Sequence, residues 1–376
     1  MMSAQDDLIG HQAAAPFAQR AGNGDARFTE RYWYTLHPVS GVVDGVPMII
    51  DIGMGYYPNK GVMDVFAGIT VGRKQHNFRA SRSLGATPLE AGAGPLRIEV
   101  VEGMKLHRLT LADNDSGFSF ALDFEASFPA AQEKQNYRER KDEVEEDMVR
   151  ISQFGRWRGW FSIGGSRHEV EPKTWWGQRD HSWGIRSAML TDEAAPPVQR
   201  HSGFFWTWSM FQFEDMGISI FLKEREPGKP HYLSASEFVR QADGSVTHRE
   251  ATGATHDLEW ADDPLGQTIT RGSFTLAFAD GTPRTVHMEG QAARFYLKGG
   301  LYGGFGGWNH GDHKGAYHSG HDVWDLDDAA TRAKARTLGD HVVTASCDGR
   351  KGVGISEYGV AEGYALYKGP QKHPAL

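Results

Sequence analysis

The residues best equipped for chemistry stand in one run, Trp175-Trp176-Gly177-Gln178-Arg179-Asp180-His181-Ser182-Trp183-Gly184-Ile185-Arg186. A carboxylate and an imidazole are neighbours, Arg179 and Arg186 flank them, and three tryptophans bracket the group. A carboxyl group among indole rings is desolvated, which raises its pKa and suits a general acid, while a nearby guanidinium pulls the other way. Asp180 is therefore a candidate acid and His181 a candidate partner. Arg179, Trp176 and Trp183 are candidate substrate contacts. On an extended strand Arg179, His181 and Trp183 share one face, and Gln178, Asp180 and Ser182 share the other. Asp180 and His181 meet in one cavity only if a bulge intervenes. The competing reading is a buried Arg–Asp pair that closes a sheet, with His181 capping it.

Three further groups carry chemical potential. The segment Trp308 to Asp322 holds His310, Asp312, His313, His318, His321 and Asp322. Zinc needs three or four ligands in a tetrahedron, and this stretch is Gly-broken and loop-like, so His310-x-x-His313 is not a helical ligand pair. His310 could instead move a proton at neutral pH, with Trp308 beside it as a substrate contact; plain hydrogen bonding in a long loop is the alternative. Glu357-Tyr358 lies in a strand with Gly352, Gly354 and Gly359. Glu357 is a second candidate acid or base, or an anchor for an arginine, and Tyr358 a hydroxyl donor; a paired strand-end carboxylate is the structural alternative. The run Gly203 to Phe211, with Trp206 and Trp208, is apolar on both faces. It reads as a strand shared by two domains, a barrel wall facing a ligand, or ordinary core. Rings of this kind could shelter a cationic intermediate.

The elements that must position these residues read as strands. Phe118, Phe120, Leu122 and Phe124 alternate with Ser119, Ala121, Asp123 and Glu125, and Ile218–Lys223 and Phe274–Phe278 repeat the pattern. Turn signals separate such runs at Asp113–Gly117, Asp243-Gly244, Asp280-Gly281 and Asp348-Gly349. Helix signals are few: Asp327 to Leu338 is the best, and the charge-dense Gln132 to Asp147 reads as a solvated loop. The fold class expected is all-β, with antiparallel sheets closed into barrels. A polar, Pro-containing break at Asp192–Pro197 divides the chain into a first β domain over 25–190 and a second over 198–376. Residues 1–24 form an expected disordered lead.

The octet Gly177–Gly184 resembles the Asp-His-x-(Trp/Phe)-Gly signature of the hydroxyneurosporene synthase (carotenoid 1,2-hydratase) superfamily, which includes the AttH-like lipocalin-type proteins. Glu30-Arg31-Tyr32-Trp33-Tyr34, Trp308-Asn309-His310-Gly311 and Gly352–Gly359 are similar to the same group, in the same order. The resemblance implies two lipocalin-like β-barrel domains and proton-driven chemistry on a hydrophobic substrate, with no redox cofactor and no metal. The expected activity is a cofactor-independent lyase or hydratase acting on a terpenoid, steroid or aromatic dimer. An isomerase or cyclase of the same build, or a non-catalytic carrier of such a ligand, are the alternatives. Asp180, His181, His310 and Glu357 are the candidate catalytic groups. Carboxylates and histidines in a carrier's cavity would be costly without a task.

Composition narrows the field. Charged residues make up 23% of the 376 and the net charge is -8, which argues against a general nucleic-acid binder. No apolar run approaches a membrane span. The N-terminus lacks a basic start followed by an apolar stretch, and the lone Cys347 cannot form an intrachain disulfide, so a cytoplasmic location is expected. No dinucleotide fingerprint or Gly-x-Ser-x-Gly elbow is present. The expected partner is a hydrophobic small molecule, with room for a homo-oligomer.

Overall fold

The computed structural model describes residues 2–11, 24–140, 142–186, 203–262, 267–335 and 338–367. Strand accounts for 65% of the chain and helix for 6%, so the all-β expectation holds. The first sheet runs from Phe28–Pro38 to Trp175–Ile185 and coils into a nearly closed barrel. The second is a closed, antiparallel eight-stranded barrel built from strands between Phe205–Phe213 and Arg350–Val360. The chain crosses between them once more: Tyr317–Asp325, from the second half, pairs along Lys74–Ser83 as the edge strand of the first sheet.

Alternation explains how each barrel fills. Phe118, Phe120, Leu122 and Phe124 pack with Tyr34 and Trp157 inside the first barrel. Ile218, Ile220, Phe274, Leu276 and Phe278 fill the second. A third core lies between them, where Trp33, Phe66, Phe154 and Trp176 of the first sheet meet Trp208, Met210, Phe295 and Ile355 of the second. The run around Trp206 and Trp208 is thus a shared strand, with Phe205 and Phe211 turned into its own barrel and Trp208 and Met210 turned out to the seam. Two backbone devices hold the seam strands close. Asp348 and Gly349 both have positive φ, 48° and 77°, and form the two-residue turn that joins Gly339–Cys347 to Arg350–Val360. A Cβ on Gly354 would stand 1.8 Å from the Met210 carbonyl oxygen, so only glycine admits that approach.

Three local expectations give way. Part of the N-terminal lead is folded: Ala4–Asp7 is a 3-10 helix and Asp7 is fully buried, because its carboxylate answers a charge inside the first barrel. Gln132 to Asp147 is paired strand over Asn136–Arg140 and the start of Glu143–Ile163, its charges matched across the ladder by Arg138 and Glu145 at 3.0 Å. The histidine-rich stretch is a loop only to residue 316, after which alternating side chains carry it into a strand. The helix expected near Asp327 spans Ala329–Ala335. The expected boundary at Asp192–Pro197 lies outside the described residues. No helix among the described residues is long and apolar enough to cross a membrane.

Candidate active site

The strand Trp175–Ile185 pairs without a register shift to Phe28–Pro38 on one side and Glu143–Ile163 on the other. With no bulge, Asp180 and His181 face opposite ways, as strict alternation requires. His181 and Arg179 point into the first barrel. There Arg179 Nη1 and Nη2 donate to the two Asp7 carboxylate oxygens at 2.7 and 2.8 Å, and its Nε donates to Gln153 at 2.9 Å. His107 Nε2 lies 2.9 Å from Asp7 Oδ2, and His181 Nε2 lies 2.9 Å from Glu30 Oε1. Burial alone would raise the Asp7 pKa, but the Arg179 charge and the His107 contact outweigh it and hold the carboxyl well below the usual range. Burial, helped by Arg179, lowers His107 to about 4. All five of Asp7, Glu30, His107, Arg179 and His181 are sealed from solvent. For Arg179 and His181 the geometry is that of a closed ion-pair network.

Asp180 faces the seam. Its cross-strand partners are Trp33 and Ser152. Asp180 Oδ2 lies 3.0 Å from Arg150 Nε, and Arg150 Nη1 lies 3.4 Å from Glu133. Glu133 Oε1 also accepts from the Trp208 indole N–H at 2.8 Å and the Ser152 hydroxyl at 2.5 Å. The Arg150 guanidinium lies over the Trp208 and Phe221 rings at 5.5 and 5.2 Å, and Trp33 meets Trp208 edge-on at 5.3 Å. Asp180 Oδ1 has no hydrogen-bond partner. The Asp180 and Arg150 side chains keep 13% and 19% exposure, and Glu357, Trp206, Tyr302 and Arg186 are likewise only partly covered. These groups keep partial exposure at the seam, in contrast to the sealed network around Asp7.

Glu357 enters from the second barrel, directly opposite Trp208 across the ladder. Burial raises its pKa well above the carboxylate range; Asp340 adds to the rise and Asp180 contributes further. Burial does the same to Asp340, with Asp51 adding to it, and pushes Asp51 up to about 7. Asp51 and Asp340 are fully buried. His310 joins the site through a relay. Its Nε2 accepts from Arg31 Nη2 at 3.1 Å, and its Nδ1 faces Asp64 at 3.4 Å. Burial, then the Arg31 charge, lowers His310 to about 4, so its ring is neutral. Arg31 lies over the Tyr302 ring at 4.6 Å, and its charge is set against Asp180.

The remaining candidates divide. Trp206 and Trp208 are at the seam. Trp176 is on the Asp180 face and donates its indole N–H to the Pro172 carbonyl at 3.1 Å. Trp183 stacks near His181 at 5.1 Å on the opposite face. Tyr358 is inside the second barrel, its hydroxyl accepting from the Ile269 N–H at 3.1 Å. Trp308 packs on His318 at 4.8 Å, in the segment that carries His310. The histidine-rich segment disperses: His313 reaches Ser83 and Asp322 pairs with Arg79. Among the described residues no group of three or more His, Cys, Asp or Glu side chains could hold a metal ion. Sequence reasoning missed Asp51, Arg150 and Asp340 and used Arg31 only as part of a motif. The available signal was a lone charge inside an apolar strand, as in Met48-Ile49-Ile50-Asp51-Ile52 and Val149-Arg150-Ile151.

Two β barrels packed along such a seam define a class by their fold. The chain belongs to a family of unknown function, DUF8625, whose model matches residues 2–366. No curated protein matches it. Among solved structures it is similar to an AttH-type protein (NE1406) from Nitrosomonas europaea, at 13% identity and TM-score 0.51, covering 90% of this chain and 93% of that one. It is also similar to kievitone hydratase from Nectria haematococca, at 11% identity and TM-score 0.50, covering 88% of each chain. These likenesses establish the AttH-like two-barrel fold. They supply no sequence-level link to hydroxyneurosporene synthase, so that part of the motif resemblance stands on the motif alone.

Proposed function

We propose that this chain is a cofactor-independent lyase or hydratase that uses acid–base chemistry on a hydrophobic terpenoid, steroid or aromatic-dimer substrate. The reaction would add or eliminate water, or cleave a C–O or C–C bond. The observation that carries the reading is that Glu357, whose pKa burial raises, and Asp180, paired with Arg150, both stand at the seam among indole rings. Glu357 then takes the acid role that the motif alone gives to Asp180. In hydration, Glu357 gives its proton to an alkene carbon, and Asp180, held by Arg150, takes a proton from the water that attacks the cation. Trp33, Trp206 and Trp208, grouped at the seam, shelter that cation with their π faces. His310 positions Arg31 and does not itself transfer the proton. If the intermediate loses a proton instead of gaining water, the outcome is isomerisation or cyclisation. The hydratase among the fold relatives supports the hydration reading.

The Arg150–Asp180 pair favours a second reading, a carrier in which that pair is purely structural. One experiment separates them. Protein freed of metal by exhaustive chelation is incubated in ¹⁸O-labelled water with terpenoid, steroid and aromatic-dimer alkenes, and products are read by mass spectrometry. Uptake of one labelled water supports the hydratase. A product of unchanged mass and new retention time indicates an isomerase or cyclase. Ligand that co-purifies unaltered indicates the carrier, and activity restored only by added zinc defeats cofactor independence.

A further inference from the structure

Asp51, Asp340 and Glu357 come from three different strands and converge on one point. Asp51 lies in Val46–Tyr57 of the first sheet, Asp340 in Gly339–Cys347 and Glu357 in Arg350–Val360 of the second barrel. The register that pairs His341 with Ser356 places Asp340 next to Glu357 across the ladder. Asp51 reaches over the seam from the opposite side to meet Asp340. Asp51 and Asp340 are both 0% exposed, and none of their four carboxyl oxygens has a donor among the groups that carry hydrogens at neutral pH. Four buried oxygens without a donor are untenable as two carboxylates, because each ion would lose several kcal/mol of hydration with nothing in return. The arrangement becomes satisfied if the carboxyl groups carry protons and donate to one another.

The surroundings favour that solution. Arg150 and Asp180 face Glu357 from the first sheet, one attracting and one repelling its charge. Arg294 faces Asp340 from within the second barrel, and the Thr35 hydroxyl beside Asp51 donates to the Ile50 carbonyl at 3.2 Å. Arg150 is already engaged by Asp180 and Glu133, and Arg294 Nη1 is engaged by the Gln267 carbonyl at 3.0 Å. Arg150 is thus matched by two other carboxylates, and Arg294 makes no ion pair with Asp340, whose oxygens have no donor.

We propose that Asp51, Asp340 and Glu357 form a hydrogen-bonded carboxyl chain across the seam, in which Asp340 and Asp51 are positioning residues that keep Glu357 protonated and aimed at the partly exposed side of the seam. The assignment rests on the acid role given above to Glu357. In each hydration cycle Glu357, whose proton is held by donation to Asp340, loses that proton to carbon and becomes a carboxylate. Asp180 gains one proton from water. The cycle closes when that proton returns from Asp180 to Glu357, so the chain itself is neither gained nor consumed.

The test is spectroscopic and needs no substrate. Infrared spectra of the full-length protein at neutral pH are expected to contain the C=O stretch of protonated buried carboxyl groups, shifted in heavy water. Glu357→Gln should remove part of that band. Asp340→Asn keeps the shape of a protonated aspartate, and should remove another part and move the pH at which the Glu357 signal disappears downward. Asp51→Asn should give the same kind of shift, smaller in size. A wild-type spectrum without such a band overturns the proposal, as does a band indifferent to both Glu357→Gln and Asp340→Asn. Absence of turnover on every alkene tested would defeat the function proposed above and leave the band in place.

Discussion

At the scale of single residues, the decisive fact is that Asp180 and His181, adjacent in the chain, serve different spaces. Alternation made this legible: an unbroken strand must separate them, and the ladder is unbroken. Which of them meets the seam was not legible, because it depends on a second barrel packing against one face only. The proposed acid was harder to find. Glu357 was readable as a candidate from its glycine-flanked strand, but the burial that raises its pKa, and the Asp340 carboxyl that adds to the rise, follow from no spacing rule. Glu357→Gln and Asp180→Asn are expected to remain folded and to lose about 10²–10⁴-fold in turnover each. Steady-state kinetics with the substrate found by isotope labelling measure this, and a folded Glu357→Gln variant with full activity would remove it from the mechanism.

At the scale of elements, the N-terminal segment is the unexpected part. Its composition, polar and rich in Ala and Gly, carries no signal for order, since what orders it is a partner more than a hundred residues away. Asp7 fills the first barrel with the one carboxylate that Arg179 can reach. Replacing it leaves a guanidinium sealed without a counter-charge, so Asp7→Asn is expected to cost about 3–5 kcal/mol in urea unfolding. The same substitution at Asp180 should cost far less, because Arg150 retains Glu133 and some solvent. The strands themselves were well marked. Turn glycines at Gly117, Gly244, Gly281 and Gly349 all have positive φ in the structure, as a turn demands after Asp243, Asp280 and Asp348 and at the end of Asp113–Ser116. The Gln132–Asp147 segment misled because cross-strand charge pairing imitates a solvated face.

At the scale of the whole molecule, the buried acids couple stability to pH. Asp51, Asp340 and Glu357 have raised pKa values in the native state. Such groups bind more protons folded than unfolded, so their contribution is complete below about pH 4 and is lost as pH rises through the native values, beginning with Asp51 near 7. His37, His107 and His310, lowered to about 4, act with the opposite sign between about pH 4 and 6.5. The difference between wild type and Asp340→Asn isolates the acids. The melting temperature of the variant minus that of wild type is expected to rise steadily from about pH 5 to about pH 9. A flat difference would mean that Asp340 does not titrate with folding.

The return of Tyr317–Asp325 to the edge of the first sheet has a consequence for assembly. The first barrel borrows a strand from the second half of the chain and the two barrels share a packed seam, so the halves are bound to each other as complementing fragments. A protein cleaved between Arg186 and Gly203 should therefore stay together through gel filtration, and the two pieces expressed separately should find each other and reconstitute. The first piece alone would present the Lys74–Ser83 strand as an open edge and would self-associate.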